Sequence, residues 1–183
     1  MRLRFLSSNA TKVAEVKAIL SAAGFDLIAV EKKLDEIQSD NVELLVRDKC
    51  IKAFRLIGRP VFVEHTGLYI EALNGFPGGL TQIFWDTLGA ERVAALFGKE
   101  DGLAIARTRI GYCDGRCVHQ FEGEVSGKLA RKPCGDTSQW DCIFIPEGSN
   151  KTFAEMGKHK NEISMRRKAL DQFAAFLSGA THD

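Results

Sequence analysis

Apolar positions in this chain change period several times, and each change marks an element. An apolar run from Leu3 to Leu6 gives way to the polar stretch "SSNATK", after which Val13, Val16, Ile19 and Leu20 fall on one helical face. This predicts a strand, a loop and a helix. Gly24 ends that helix, "FDLIAV" predicts a second short strand, and "KKLDEIQSDN" is a charged connection. Asp40 and Glu43 have the spacing of a capping box, so a new helix is expected to open there. Its stripe of Val42, Leu45, Val46, Cys50, Ala53, Phe54 and Ile57 is the clearest amphipathic pattern in the chain, and Gly58 and Pro60 stop it.

"PVFVEHTGLYIEAL" reads as extended chain broken at "HTG", followed by the turn chemistry of "NGFPGG". A helix is predicted over residues 86–97. Two β-like runs, "LAIARTRIGYC" and "RCVHQFEGEV", are joined by Asp-Gly, which predicts an antiparallel hairpin. The last third is loop-rich through "KPCGDTSQWDCIFIPEGSN". A terminal helix then carries Ile163, Leu170, Phe173, Ala174 and Leu177 on one face. Early strand-helix alternation with a later hairpin predicts an α/β fold around a mixed sheet, in two lobes with a cleft between them.

At 183 residues, 45% hydrophobic and 27% charged, the chain suits one compact domain or two merged lobes. The formal charge of +1 offers no basic surplus for nucleic acid, so any anion site must be local. The five cysteines are odd in number and form no C-x-x-C pair, which argues against a disulfide framework or a zinc knuckle. Cys113 and Cys117 are expected to be small buried hydrophobes. No stretch has the apolar run of a signal peptide or a membrane span, so no membrane partner and a cytoplasmic location are expected.

Three groups of residues offer chemistry. In "SSNATK", Ser7, Ser8 and Asn9 lie beside Lys12 ahead of a helix N-terminus, where free N–H groups can seat a phosphate. An ordinary helix cap with a solvated lysine fits the same residues. Asp35, Glu36, Glu64 and Glu71 are hard oxygen donors suited to Mg²⁺ if they converge, and solvated surface acids otherwise. "KHKNEISMRRKAL" gathers Lys158, Lys160, Arg166, Arg167 and Lys168, of which arginine in particular has the planar fork that phosphate oxygens accept.

Taken in order, "FLSSNATKVAEVKAIL", "DEIQSDNVELLVRDKCIKA", "VEHTGLYIEALNGFPGG", "FEGEVSGKL", "QWDCIFIPEGSNKTFAEM" and "KNEISMRRKAL" resemble the inosine triphosphate pyrophosphatase family. The resemblance runs from Phe5 to about Leu170. It implies a single pyrophosphatase-like domain over residues 1–183, with an elongated mixed central sheet flanked by helices, two lobes about a cleft, and a homodimer. It implies hydrolysis of a noncanonical purine nucleoside triphosphate to monophosphate and pyrophosphate with Mg²⁺, or Mn²⁺. By the same resemblance Asn9, Lys12 and Lys49 hold phosphate, Glu36 is associated with metal, Trp140 and Asp141 lie beside the base, and Lys160 and Arg166 complete the site.

Three positions depart from the family pattern. His65 stands where the family has the aspartate assigned to metal and water activation. Met165 replaces the histidine of a serine-histidine-arginine motif, and Ser138 replaces a phenylalanine that stacks on the base. The expected site therefore takes His65, Lys12 and Glu64 as catalytic and Glu36 and Glu64 as metal ligands. Ser7, Ser8, Asn9, Lys12, Lys49, Thr66, Gly67, Ser138, Trp140, Asp141, Lys160, Met165 and Arg166 are its substrate-binding set. His65 could be a general base, a ligand for a metal tolerant of imidazole, the mark of a nucleotide-binding protein with little turnover, or a structural residue. The altered base pocket predicts reduced selectivity for 6-oxo purines.

Overall fold

A computed structural model describes residues 1–99 and 102–179. The chain opens with β1 (Arg2–Leu6), α1 (Ala10–Ala22) and β2 (Asp26–Val30), followed by α2 (Val42–Ile57), β3 (Val61–Ile70) and a two-residue β4 (Pro77–Gly78). Next come α3 (Thr81–Phe97), β5 (Leu103–Cys113), β6 (Val118–Leu129) and β7 (Phe144–Pro146). The helical turns α4 (Phe153–Met156) and α5 (Lys160–Ile163) lead into α6 (Met165–Gly179). The strands form one sheet in the order β2-β1-β3-β5-β6-β7, with β4 added beside β3. β1 pairs in parallel with β2 and β3, and the remaining pairs are antiparallel, so the sheet is mixed as expected.

Each face of the sheet is covered by the helix whose stripe matches it. Phe5, Phe62, Ile110 and Tyr112 pack under Val16 and Leu20 of α1 and Leu170 and Phe173 of α6. On the opposite face Leu6, Val61 and Val63 meet Leu45, Val46, Cys50 and Ala53 of α2. Two glycines set how closely helices approach. A Cβ at Gly111 would lie 2.7 Å from Val46 Cγ1, and one at Gly123 would lie 2.2 Å from the Met165 carbonyl oxygen. The second contact is with backbone, so only glycine lets the first turn of α6 rest on β6. A third core surrounds Trp85, Phe144 and Phe153 at the other end of the sheet.

Several boundaries differ from those expected. β3 runs unbroken through His65, Thr66 and Gly67, because each pairs with β5 in register, opposite Arg109, Thr108 and Arg107. Cross-strand pairing overrides the local turn signal. Asn41, rather than Asp40, caps α2, its Oδ1 accepting from the Leu44 N–H at 3.0 Å. α3 begins at Thr81, five residues before the predicted start, where the Thr81 hydroxyl donates to the Gly78 carbonyl at 2.6 Å; Gly89 (φ 71°, ψ 169°) then kinks it. Ile163 lies ahead of α6 and is exposed, and Ser164 (φ −65°, ψ 158°) separates the two. Cys113 is buried as predicted, but Cys117 is exposed beyond the hairpin turn, and all five thiols are free. Burial pushes the Cys50 thiol up to about 12.

Candidate active site

A cleft of about 500 Å³ opens where the N-terminus of α1, the connection from Lys32 to Gln38, α2, β3 and the start of α6 come together. At one end Asn9 caps α1: its Oδ1 accepts from the Lys12 N–H at 3.0 Å, while Ser7 Oγ accepts from the Asn9 N–H at 3.2 Å. The remaining first-turn N–H groups and the positive end of the helix dipole are left for an anion. The cap and phosphate-seat readings of this loop are therefore compatible. The Lys12 side chain reaches inward to Glu64 Oε1 at 2.6 Å.

The cleft wall is a lattice of paired charges, with Glu64 alone of its members set behind the lining. Glu64, only 3% exposed, is gripped from the other side by Arg166, whose Nε donates to Oε2 at 2.7 Å and whose Nη1 bonds Glu15. Lys160 bridges Glu15 at 3.0 Å and Asp141 at 2.5 Å. Lys49 donates to the Glu36 carboxylate at 2.7 Å and to the Glu64 carbonyl at 3.2 Å. The four cations Lys12, Lys49, Lys160 and Arg166 are thus matched by the four carboxylates Glu15, Glu36, Glu64 and Asp141. Lys12 is the most open of the cations, at 27% side-chain exposure against 5% for Arg166.

This pairing sets the titration of the site. Burial alone would raise the Glu64 carboxyl, but the charges of Arg166 and Lys12 outweigh it and hold the group well below the carboxylate range. Burial likewise works against Glu36, and the His65 ring and Lys49 overcome it to hold Glu36 at about 2. Burial pushes the Lys49 ammonium down, with Glu36 opposing. Since both glutamates take up protons more readily when unfolded, their stabilisation is complete above the ordinary carboxylate value and is lost as pH falls through the folded values. The urea midpoint should therefore fall steadily from pH 5 toward pH 2, and Glu36→Gln should flatten that slope. An unchanged slope in the variant would remove Glu36 from the account.

His65 lines the cleft with Nδ1 3.9 Å from Glu36 Oε2, too far for a hydrogen bond, and its Nε2 is buried without a partner among the described residues. Thr66 Oγ1 lies 2.7 Å from Thr108 Oγ1. Ser7, Ser8, Asn9, Lys12, Glu36, Lys49, His65, Thr66, Trp140, Asp141, Lys160, Met165 and Arg166 all line the same cleft. Three expected site residues sit apart from its lining. Glu64 is behind the wall, Gly67 is packed so that a Cβ would lie 2.5 Å from the Gly78 carbonyl, and Ser138 is exposed with its N–H bonded to Asp136. Among the other predicted candidates, Glu71 is exposed in a turn after β3, Arg167 pairs with Asp171, and Lys168 donates to the Glu124 carbonyl.

Glu15 and Gln139 were not singled out from sequence. Glu15 had a signal: it follows Lys12 by three residues, on the same face of α1. Whether the donors suit a divalent cation follows from their commitments. Glu36 offers a hard carboxylate, 34% exposed, on the cleft wall, whereas both Glu64 oxygens already serve cations. No three His, Cys, Asp or Glu side chains converge as a metal cage among the described residues. The residues therefore fit Mg²⁺ held by one or two carboxylates with substrate oxygens and water, the usual mode of this ion.

Residues 3–176 match the profile of the Ham1 family. The chain belongs to that family. A dITP/XTP pyrophosphatase of Methanopyrus kandleri is 41% identical over 95% of both chains, and a protein of the same description from Thermococcus kodakarensis is 37% identical over 97% of both. The structure of a Ham1 protein from Coxiella burnetii, 24% identical, superposes with a TM-score of 0.81 over 98% of this chain and 99% of that one. The Ham1 fold therefore accounts for the α/β architecture and its mixed central sheet.

Proposed function

We propose that this chain hydrolyses a noncanonical purine nucleoside triphosphate, of the dITP or XTP kind, to the monophosphate and pyrophosphate with a divalent cation. The observation that carries the reading is Lys12 at the open N-terminus of α1, facing a cleft whose other cations are held in place by carboxylates. The phosphates would meet the α1 N–H groups, Lys12 and Lys49, and Glu36 with substrate oxygens would hold the cation. When bound, that cation neutralises phosphate charge and polarises the bond to be broken. Trp140 and Met165 supply the apolar surface against which a base can rest.

Water adds to phosphorus, the bond to the pyrophosphate oxygen breaks, and neutral His65 takes the proton that water gives up. Glu36, across the 3.9 Å gap, stabilises the imidazolium that forms. A second reading, a nucleotide-binding protein with little turnover, is favoured by one feature: each cation is already matched to a carboxylate before substrate arrives. Pyrophosphate release from purine and pyrimidine triphosphates with Mg²⁺ or Mn²⁺ separates the two. We expect turnover by wild type and a loss of 10²-fold or more, of the order general-base removal costs, in His65→Gln. A silent wild type beside an active His65→Asp would replace the hydrolase with the binding reading.

A further inference from the structure

The loop after β6 and the turn Trp140–Cys142 that closes it carry two of the five thiols. Cys134 is exposed, whereas Cys142 is 0% exposed in the core around Phe144 and Phe153. Their backbones are in direct contact, the Cys134 N–H donating to the Cys142 carbonyl at 2.8 Å. Residues joined by such a bond in paired strands have Cα atoms about 5.5 Å apart, inside the range of roughly 4.4–6.8 Å that a disulfide spans. Both ends are anchored: the Thr152 hydroxyl donates to the Cys134 carbonyl at 3.1 Å, and the Cys142 N–H donates to the Gln139 carbonyl at 3.3 Å. The other thiols are remote. Cys142 lies just ahead of β7, which pairs with the Leu129 end of β6, while Cys113 and Cys117 lie at its Val118 end, with Cys50 packed near Cys113. The 12 residues of β6 extend about 40 Å between those ends.

We propose that Cys134 and Cys142 form a reversible disulfide, which makes the pair a modification site for small-molecule disulfides beside the cleft. The accessible Cys134 reacts first. Its thiolate attacks one sulfur of the reagent, the reagent's S–S bond breaks, and the departing thiolate takes up a proton. Cys142 then gives its proton to solvent and attacks the Cys134 sulfur, and the second reagent thiol leaves. Two protein thiols are oxidised, and one small disulfide is reduced to two thiols. The Cys134 thiol gives up only a long bond of 3.6 Å to the Lys132 carbonyl, made by a weak donor. Burial pushes the Cys142 thiol up to about 11, and the neighbouring Cys134 adds to the rise. Thiolate at Cys142 is therefore scarce at neutral pH, and the second step quickens as pH rises. The product fastens the start of the loop to the turn that holds Trp140 and Asp141 in the cleft wall. This inference is independent of the nucleotide reading.

The test treats the folded, reduced full chain with 2-hydroxyethyl disulfide and reads peptide masses after alkylation and trypsin. Both cysteines fall in one tryptic peptide, residues 132–151, because Pro133 blocks cleavage after Lys132. The expected product is that peptide two hydrogens lighter, closed to alkylation and restored by dithiothreitol. The adduct on Cys134 should decay into it about tenfold faster for each pH unit from pH 7 to pH 9, following the Cys142 thiolate. Cys142→Ser should keep the adduct on Cys134, and Cys134→Ser should leave Cys142 unmodified. If the buried Cys142→Ser fails to fold, wild type and the exposed Cys134→Ser still decide. A lasting adduct on Cys134 of wild type at every pH would overturn the assignment. So would the absence of any reaction, or a bond from Cys134 to another thiol, including one of a second copy. An internal bond that forms only in urea would also overturn it, since the folded geometry would not then be its cause.

Discussion

Arg166→Met should lower the unfolding free energy by about 3–5 kcal/mol, the usual cost of removing one partner from a buried ion pair. The guanidinium is 5% exposed and serves Glu64, itself 2% exposed at its side chain, together with Glu15. Without it Glu64 retains the Lys12 ion pair and a long hydrogen bond from the Thr66 hydroxyl, and a buried carboxylate is left partly uncompensated. The loss should shrink as pH falls, because burial then favours the protonated acid and the charge that needs compensation disappears. Urea unfolding of wild type and variant at pH 7 and pH 4 reads both effects. A difference below about 1 kcal/mol at pH 7 would place the pair among screened surface contacts and contradict its burial.

Lys12→Ala should behave in the opposite way, costing 10²- to 10³-fold in kcat/KM for pyrophosphate release, the range typical of removing one preorganised charge or donor from a transition state. Stability should change by no more than about 1 kcal/mol, since Glu64 keeps Arg166 and the lysine is partly solvated. The separation follows from exposure: the Arg166 side chain is 5% exposed and locked to Glu64 and Glu15, whereas that of Lys12 is 27% exposed. Measuring kcat/KM and the urea midpoint on the same preparations decides it. Less than a threefold effect on kcat/KM would mean that the α1 N–H groups and Lys49 hold the phosphate without Lys12.

The local patterns were legible wherever neighbours in sequence are also neighbours in space. The stripe of Leu45, Val46, Cys50 and Ala53 gave α2, and Asp-Gly between two β-like runs gave the β5–β6 hairpin, in which Asp114 Oδ1 accepts from the Arg116 and Cys117 N–H groups. The errors came where a distant partner decided. "HTG" looked like a break, but a full antiparallel ladder with β5 keeps those residues in strand. The start of α3 was missed because Thr81 is fixed by Gly78 and by Leu68, thirteen residues away. Asp40 lost the cap to its neighbour Asn41, a substitution between two nearly equivalent capping residues.

Side-chain pattern alone gave β1, α1, β2, α2, the β5–β6 hairpin and α6, the helix-opening loop at Asn9 and Lys12, and, through six ordered segments, the family, but not the short elements β4, β7, α4 and α5. What it gave depends on side-chain period, on caps and on motif spacing, all of which act over a few residues. That carboxylates hold the cations of the cleft emerges only on folding, because the decisive contacts join Arg166 to Glu64 across 102 positions, Lys160 to Glu15 across 145 and Arg166 to Glu15 across 151. Folding also brought Glu15 and Gln139 into the site. Coulombic pairing and desolvation depend on distance and burial after folding, and neither is written in the spacing of residues along the chain.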